Sequence, residues 1–515
     1  MYRFFDPQLF PHDLIAEYYR SITPSGYAEL HHLFAGLGVD LVLLSKWLPL
    51  VLGLITTGYA FAVCMQILPI PIAGFLSTML LNQALWMHDD IVAAVPRGFF
   101  YPLFLAFVYY LLQRSLLPCL LAIALQALFY PIVALISAGI LLLRLLDWKD
   151  GKLGWSGDRS AYWFALSGVM VACVTVLPYA IASSQFGPSI TAAEALTMPE
   201  YWAGGRIRYY DIPPISFWLD GRDSGLFAML SPPQLFIAVL LPILLLLRSR
   251  FPLTQKLNQG VDILLQTVIV SVGLFLIAHA LSFKLYFPSR YTFHTFQMVF
   301  ALATGITLTI ILDAAWDWAT QSRSHLQRRQ LLVRSTATIV SLALVFYPVS
   351  LKSFPKSLYV VGSVPDLYHF LQQQPKDSLI ASLSDETDNL PTFAKRPILV
   401  GRRYALPFHI RYYNEFRQRA NDLIQAQYSP DLNQVNQFIR HYGVKFWLLD
   451  RDAFSPTYIE RNRWIMQYPA AATAIAQLRN GTVPGLSKLM QKCAVVRSQN
   501  LVLLQTQCIE AAQPR

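Results

Sequence analysis

The chain has 515 residues, of which 55% are apolar, 13% aromatic and only 14% charged, whereas soluble domains carry roughly a quarter charged residues. This balance excludes a disordered chain, and five cysteines over such a length exclude a disulfide scaffold. The formal net charge of +11 does not point to nucleic acid, because the basic residues fall between apolar runs and not in one patch. With a mean hydropathy of +0.41, the chain reads as a multi-pass α-helical membrane protein.

Residues 1–45 contain Asp6-Pro7, Pro11-His12-Asp13 and an amphipathic stretch from Leu14 to Tyr19, suited to a helix lying at the membrane interface. Asp6 and Asp13 are candidate general bases, although an Asp beside proline or at a helix start also serves as a turn or cap. From residue 46 to 350 the apolar runs suit a hydrocarbon core of about 30 Å. Ten spans are expected, at roughly 46–68, 70–87, 99–113, 115–128, 130–146, 162–183, 233–248, 259–282, 292–312 and 332–350. Phe129-Tyr130-Pro131 is either a turn between two short helices or a kink in one long helix. Cys64, Cys119 and Cys173 fall within spans as small apolar packing residues.

Basic residues set the orientation. One set of loops holds Arg114; Arg144, Lys149, Lys152 and Arg159; Arg248, Arg250 and Lys256; and Arg323, Arg328, Arg329 and Arg334. The alternate set holds Arg97; Arg206, Arg208 and Arg222; and Lys284 and Arg290. The richer set is cytoplasmic by the positive-inside rule. Residues 1–45, the long loop at 184–232 and residues 351–515 are then outside. An outer amino terminus with no signal peptide leads us to expect a further helix ahead of Met1.

Residues 351–515 read as a soluble α/β domain. Strands are expected at Ser378–Leu383, Pro397–Gly401 and Val444–Asp450, and helices at 408–427 and 431–442. The runs Cys493–Arg497 and Leu501–Gln505, joined by Ser498-Gln499-Asn500, form a closing hairpin. Cys493 and Cys508 flank it on the oxidising side and are candidates for a disulfide. No GxGxxG or P-loop marks a nucleotide site.

Three outer features carry candidate chemistry. Trp86-Met87-His88-Asp89-Asp90, followed by Pro96-Arg97, places two carboxylates at a membrane boundary, where they must be solvated, paired or metal-bound. Asp89 and Asp90 would suit Mg²⁺ or Mn²⁺, and Arg97 could hold a phosphate; a plain hydrated loop would look the same. Lys284-Leu-Tyr-Phe-Pro-Ser-Arg290-Tyr291 offers cations for a lipid phosphate or for an ordinary interfacial belt. Gly204-Gly205-Arg206-Ile207-Arg208 could wrap an anionic or sugar-bearing substrate, or be an irregular surface loop. His88 is a candidate substrate contact.

The phrases Asp6-Pro7-Gln8-Leu9-Phe10-Pro11-His12-Asp13, Asp89-Asp90…Pro96-Arg97 and Phe287-Pro288-Ser289-Arg290-Tyr291, with the layout of residues 1–350, resemble the GT-C fold of membrane glycosyltransferases. The similarity is to bacterial members related to the protein O-mannosyltransferase and aminoarabinose transferase groups. The resemblance implies transfer of a sugar from a polyprenyl-phosphate carrier to a glycan, lipid or protein acceptor on the outer face of the plasma (inner) membrane. It implies a catalytic acid on the first outer loop and acids near a metal or the acceptor on the second, which Asp89 and Asp90 match. The competing readings are a transporter or flippase for a lipid-linked substrate and a non-catalytic assembly protein. The first would show duplicated halves or mid-span charges, and here the charges cluster at span ends.

Overall fold

The computed structural model describes residues 1–149, 152–320, 326–498 and 500–512; Arg323 and Gln499 lie outside them. The chain divides into two compact units. One is built from Pro24–Ile181 and Pro214–Tyr359, the other from Met1–Thr23, Ala182–Pro213 and Val360–Arg515.

The first unit is helical. Among the described residues five helices are long and apolar enough to cross a membrane: Leu41–Ile67, Arg159–Pro178, Gln259–Ala280, Pro288–Thr320 and Gln327–Ser350. Shorter apolar helices run over Pro96–Leu112, Leu116–Phe129, Pro131–Leu143 and Pro233–Leu246, and a further helix over Pro71–Trp86. Pro131 has no N–H to continue a helix and drives the residue before it extended. Tyr130 accordingly sits at φ −153°, ψ 85°, so the break is a turn between two helices. Ser137 Oγ then donates to Gln126 Oε1 at 2.7 Å across that turn. Cys64 and Cys119 are buried as packing residues, whereas Cys173 is exposed. A two-stranded antiparallel ribbon pairs Leu146–Lys149 (β1) with Lys152–Trp155 (β2).

One crossing in this unit governs the site. The Pro71–Trp86 helix packs on the helix Phe293–Thr320 through small residues. A Cβ on Gly305 would fall 2.2 Å from Ser77 Oγ, and Ser77 Oγ donates to the carbonyl of Leu302 at 3.1 Å. Small residues of this kind let helix backbones approach closely in an apolar medium.

The second unit is organised around a four-stranded mixed sheet of Leu379–Ser382 (β3), Val444–Asp450 (β4), Ala494–Arg497 (β5) and Leu501–Gln505 (β6), in the order β3-β4-β6-β5. β3 and β4 are parallel, and β6 is antiparallel to both β4 and β5. Gly443, at φ +69°, ends the Leu432–Tyr442 helix in the left-handed conformation and launches β4. Trp447 on β4 is fully buried, with its Nε1 donating to Gln427 Oε1 at 3.2 Å. The strand expected at Pro397–Gly401 is reduced to a single bridge between Ile380 and Ile398, since Pro397 cannot donate to a ladder. A bulge between Ala494 and Val496 absorbs a residue of the hairpin. Cys508 lies on the short helix Thr506–Ala511 that follows β6. Cys493 and Cys508 are disulfide-bonded with their Cα atoms 5.4 Å apart.

The helix Leu14–Ile22 turns its apolar face into the protein. Leu14, Ile15 and Tyr18 are buried in the same core as the sheet. Tyr18 stacks on Tyr412 at 3.6 Å between ring centroids and hydrogen-bonds His409 Nδ1 at 3.0 Å. An apolar helix face satisfied by protein has no need of lipid.

Candidate functional site

The acid pair lies directly after the Pro71–Trp86 helix, on the short helical turn Asp89–Val92. A second turn, Pro96–Phe99, carries Arg97 back onto it. Gly98 makes this approach possible, because a Cβ there would lie 2.9 Å from the Asp90 carbonyl oxygen. The Arg97 guanidinium pairs with both carboxylates: Nη2 stands 3.5 Å from Asp89 Oδ2, and Nε contacts Asp90 Oδ1. Asp90 is buried with its side chain 7% exposed, against 23% for Asp89.

His294, on the first turn of the Phe293–Thr320 helix, brings its Nδ1 to 3.9 Å from Asp90 Oδ2. Its ring is enclosed by Phe100 at 4.8 Å and Tyr101 at 5.3 Å between centroids. His294 Nδ1 shares a 2.9 Å hydrogen bond with the Tyr101 hydroxyl, which also donates to Gln297 Oε1 at 2.8 Å. A hydroxyl has one proton, so with Gln297 as its acceptor the Nδ1 of His294 is the donor to Tyr101. Asp90 Oδ2 itself is buried with no hydrogen-bond partner among the described residues. A buried carboxylate oxygen is costly to leave unpaired, which marks it as the open acceptor of the cluster.

His88 flanks the pair, its Nε2 sharing a 2.9 Å hydrogen bond with Ser231 Oγ. Burial pushes its imidazole below the ordinary value, so it is neutral at pH 7. Arg290 forms a 2.7 Å ion pair with Asp223, each side chain 12% exposed, and Ser289 Oγ donates to the Arg222 carbonyl at 2.9 Å to hold the two loops together. Lys284 is exposed on the loop before this turn.

The remaining candidates belong to the sheet-containing unit. Asp6 pairs with Lys376 at 2.6 Å, and that ammonium holds its carboxyl below the usual range. Asp13 is the N-cap of Leu14–Ile22, accepting from the Ala16 amide at 2.6 Å, and burial pushes its carboxyl up. Arg206 directs its Nε to the Arg403 carbonyl at 3.4 Å, while Arg208 lines a cavity beside the sheet.

The expected Mg²⁺ or Mn²⁺ fits this donor set poorly. Both carboxylates are already engaged by a guanidinium, and among the described residues no three His, Cys, Asp or Glu side chains converge as ligands.

His294, Tyr101, Gln297, Asp223 and Ser231 escaped the sequence reading. An ionisable side chain within an apolar run is itself a signal of function, and His294 in Phe293-His294-Thr295-Phe296 carries that signal. Asp223 has no comparable local cue.

No family model and no curated protein matches the chain. Among solved structures it is similar to the archaeal oligosaccharyltransferase AglB from Archaeoglobus fulgidus, in complex with an inhibitory peptide and a dolichol-phosphate. The TM-score is 0.50 at 10% identity, covering 88% of this chain and 64% of that one. It is also similar to ArnT from Cupriavidus metallidurans bound to undecaprenyl phosphate, with a TM-score of 0.45 at 13% identity over 96% of this chain and 90% of that chain. The archaeal oligosaccharyltransferase has also been solved in complex with Zn and sulfate, at a TM-score of 0.45 and 10% identity over 88% and 62% of the two chains. The chain thus spans a little under two thirds of the length of the archaeal enzyme. It shares its fold with the archaeal oligosaccharyltransferase.

Proposed function

We propose that the protein transfers a glycosyl group from a polyprenyl-phosphate-linked donor to a glycan, lipid or protein acceptor, on the outer face of the plasma (inner) membrane. The observation that carries this reading is the Asp90 carboxylate at the end of an apolar helix, which has one oxygen held by Arg97 and the other without a hydrogen-bond partner among the described residues. The fold is shared with an oligosaccharyltransferase that binds dolichol-phosphate. A polyprenyl phosphate cannot leave the bilayer, so its transferase must set polar groups at span ends, where this cluster lies.

Asp90 is the assigned general base. Asp13 is spent as a helix cap and Asp6 on Lys376, whereas Asp90 Oδ2 is free to take a proton. The acceptor oxygen attacks the anomeric carbon, its proton passes to Asp90 Oδ2, and the bond from that carbon to the phosphate oxygen breaks. The leaving phosphate stays on the polyprenyl chain. Only one carboxylate near the sugar is needed for such a displacement, unlike the two of a retaining hydrolase. Arg97 holds Asp90 in place and offers positive charge to the phosphate. Arg290 and Lys284 supply further cations on outer loops of the same unit.

Transfer of labelled sugar from a polyprenyl-phosphate donor by the purified protein tests the assignment. Asp90→Asn should lower turnover by at least about a hundredfold, the usual scale for a general base, with a smaller change in donor binding. Asp89→Asn, at the longer and more exposed contact, should cost less. Full activity in Asp90→Asn would overturn the reading.

A further inference from the structure

The sheet-containing unit holds an open cavity of about 700 Å³, within the range of roughly 300–1,000 Å³ typical of small-ligand sites. It lies at the carboxyl ends of the parallel strands β3 and β4, where Ser384 follows one strand and Asp450 ends the other. This edge is where open α/β sheets bind ligands.

Four arginines, Arg208, Arg402, Arg461 and Arg463, share its wall with three acids, Asp385, Glu386 and Asp450. Two of the acids are held by hydroxyl groups: Asp450 accepts from Ser384 Oγ at 3.1 Å and from the Tyr458 hydroxyl at 2.6 Å. Glu386 accepts from Ser363 Oγ at 3.1 Å and from the Tyr368 hydroxyl. Of the arginines, Arg461 pairs with Asp452 at 2.7 Å. Arg208, Arg402 and Arg463 line the cavity with no ion pair among the described residues.

The loop bearing Arg208 is held in place. Gly204, at φ +87°, lies so close to Arg463 that a Cβ would stand 2.7 Å from the Cβ of that residue. A Cβ on Gly205 would strike the Glu200 carbonyl at 2.3 Å. Glu200 accepts from the Arg206 amide through Oε2 at 3.2 Å and from the Ile207 amide through its carbonyl at 3.0 Å. The two glycines thus let backbone pack on backbone, and bring Arg208 to the same cavity as Arg463.

We propose that this cavity binds an anionic saccharide, one carrying a carboxylate or a phosphate. The unpaired guanidiniums at Arg208, Arg402 and Arg463 take the charged group, since planar guanidiniums match both anions bidentately. The hydroxyl and amide groups between them, such as Asn462 and Asn500, take the sugar hydroxyls. The inference rests on the glycosyl-transfer reading only in making this saccharide the acceptor.

The test is calorimetric titration of the full chain in nanodiscs, without any lipid-linked donor. Trigalacturonate is the probe, with maltotriose as the neutral control and inorganic phosphate as the bare anion. Trigalacturonate should bind at least about tenfold more tightly than either control. Arg402→Gln and Arg463→Gln, both at exposed side chains, should each weaken it about tenfold, the scale of one hydrogen bond to a charged group. The site is refuted if trigalacturonate does not bind, or binds equally well to both variants. Equal binding of maltotriose removes the anion requirement, and equal binding of phosphate removes the saccharide; either outcome overturns the proposal. Because no transfer is measured, failure here leaves the role of Asp90 standing, and an inactive Asp90→Asn leaves this site standing.

Discussion

Glu200 offers the sharpest physical test of the sheet-containing unit. It is only 2% exposed, and burial pushes its carboxyl up to about 7. The unfolded chain titrates such a group near pH 4.3, so between these values the folded state holds a proton that the unfolded state has lost. Stability therefore falls as pH rises through this window and is level above and below it. The loss over the whole window amounts to roughly 4 kcal/mol at 1.36 kcal/mol for each pH unit, of which about 2.5 kcal/mol falls between pH 5 and pH 8. Glu200→Gln keeps an oxygen for the Arg206 amide and cannot ionise. In melts followed by tryptophan fluorescence and limited proteolysis, the wild-type unit should lose roughly 5–10 °C between pH 5 and pH 8 on this account, at 2–4 °C per kcal/mol. The variant should be spared that part of the decline, and the two should agree within about 1 kcal/mol at pH 5. Asp388, pushed up to about 6 by burial, titrates in both proteins, so the difference between them isolates Glu200. The same pH slope in both proteins would refute the reasoning.

Three further outcomes are expected. Arg290→Met should destabilise the helical unit by roughly 3 kcal/mol, the low end for a buried pair, because it strands an Asp223 carboxylate that is only 12% exposed; Arg290→Met with Asp223→Asn should recover much of that in thermal melts. Replacing Cys493 and Cys508 together by Ala should cost about 3 kcal/mol for a loop closed over 15 residues, read as a lower melting temperature in non-reducing buffer. An alkaline phosphatase fused after Arg515 should be active, as the basic-loop asymmetry requires, and a reporter that works only in the cytoplasm should be silent there.

What the sequence made legible was local. Asp89, Asp90 and Arg97 are near neighbours in the chain, so a short turn sufficed to bring them together, and their adjacency to an apolar run was enough to single them out. The break at Tyr130-Pro131 is written in proline chemistry, although the choice between turn and kink required the packing of Gln126 on Ser137. The strands at Leu379–Ser382, Val444–Asp450 and Leu501–Gln505 follow from short β-branched and aliphatic runs between turn residues. By contrast, hydropathy is blind to pairings across hundreds of residues. It could not join Met1–Thr23 and Ala182–Pro213 to the sheet, a joining made by Tyr18 stacking on Tyr412 and by the bridge between Ser189 and His409. His294 was hidden for the opposite reason, an ionisable residue at the start of a long run whose apolar residues dominate any averaged window.

The arginines show where residue chemistry stops being a guide to location. Arg97, Arg206, Arg208, Lys284 and Arg290 all fall on loops of one predicted side, and a charge count treats them as one population serving one phosphate. Their local environments separate them. Arg97 is committed to two acids and Arg290 to one. Arg208 sits on a loop held by two glycines and a buried glutamate beside a β-sheet. A cation already paired with an acid is positioned by that acid, whereas an unpaired cation on the wall of a cavity is open to an incoming anion. The pairing state, which only the fold determines, therefore separates the two groups: Arg97 is fixed beside Asp90, and Arg208, Arg402 and Arg463 face a cavity of their own.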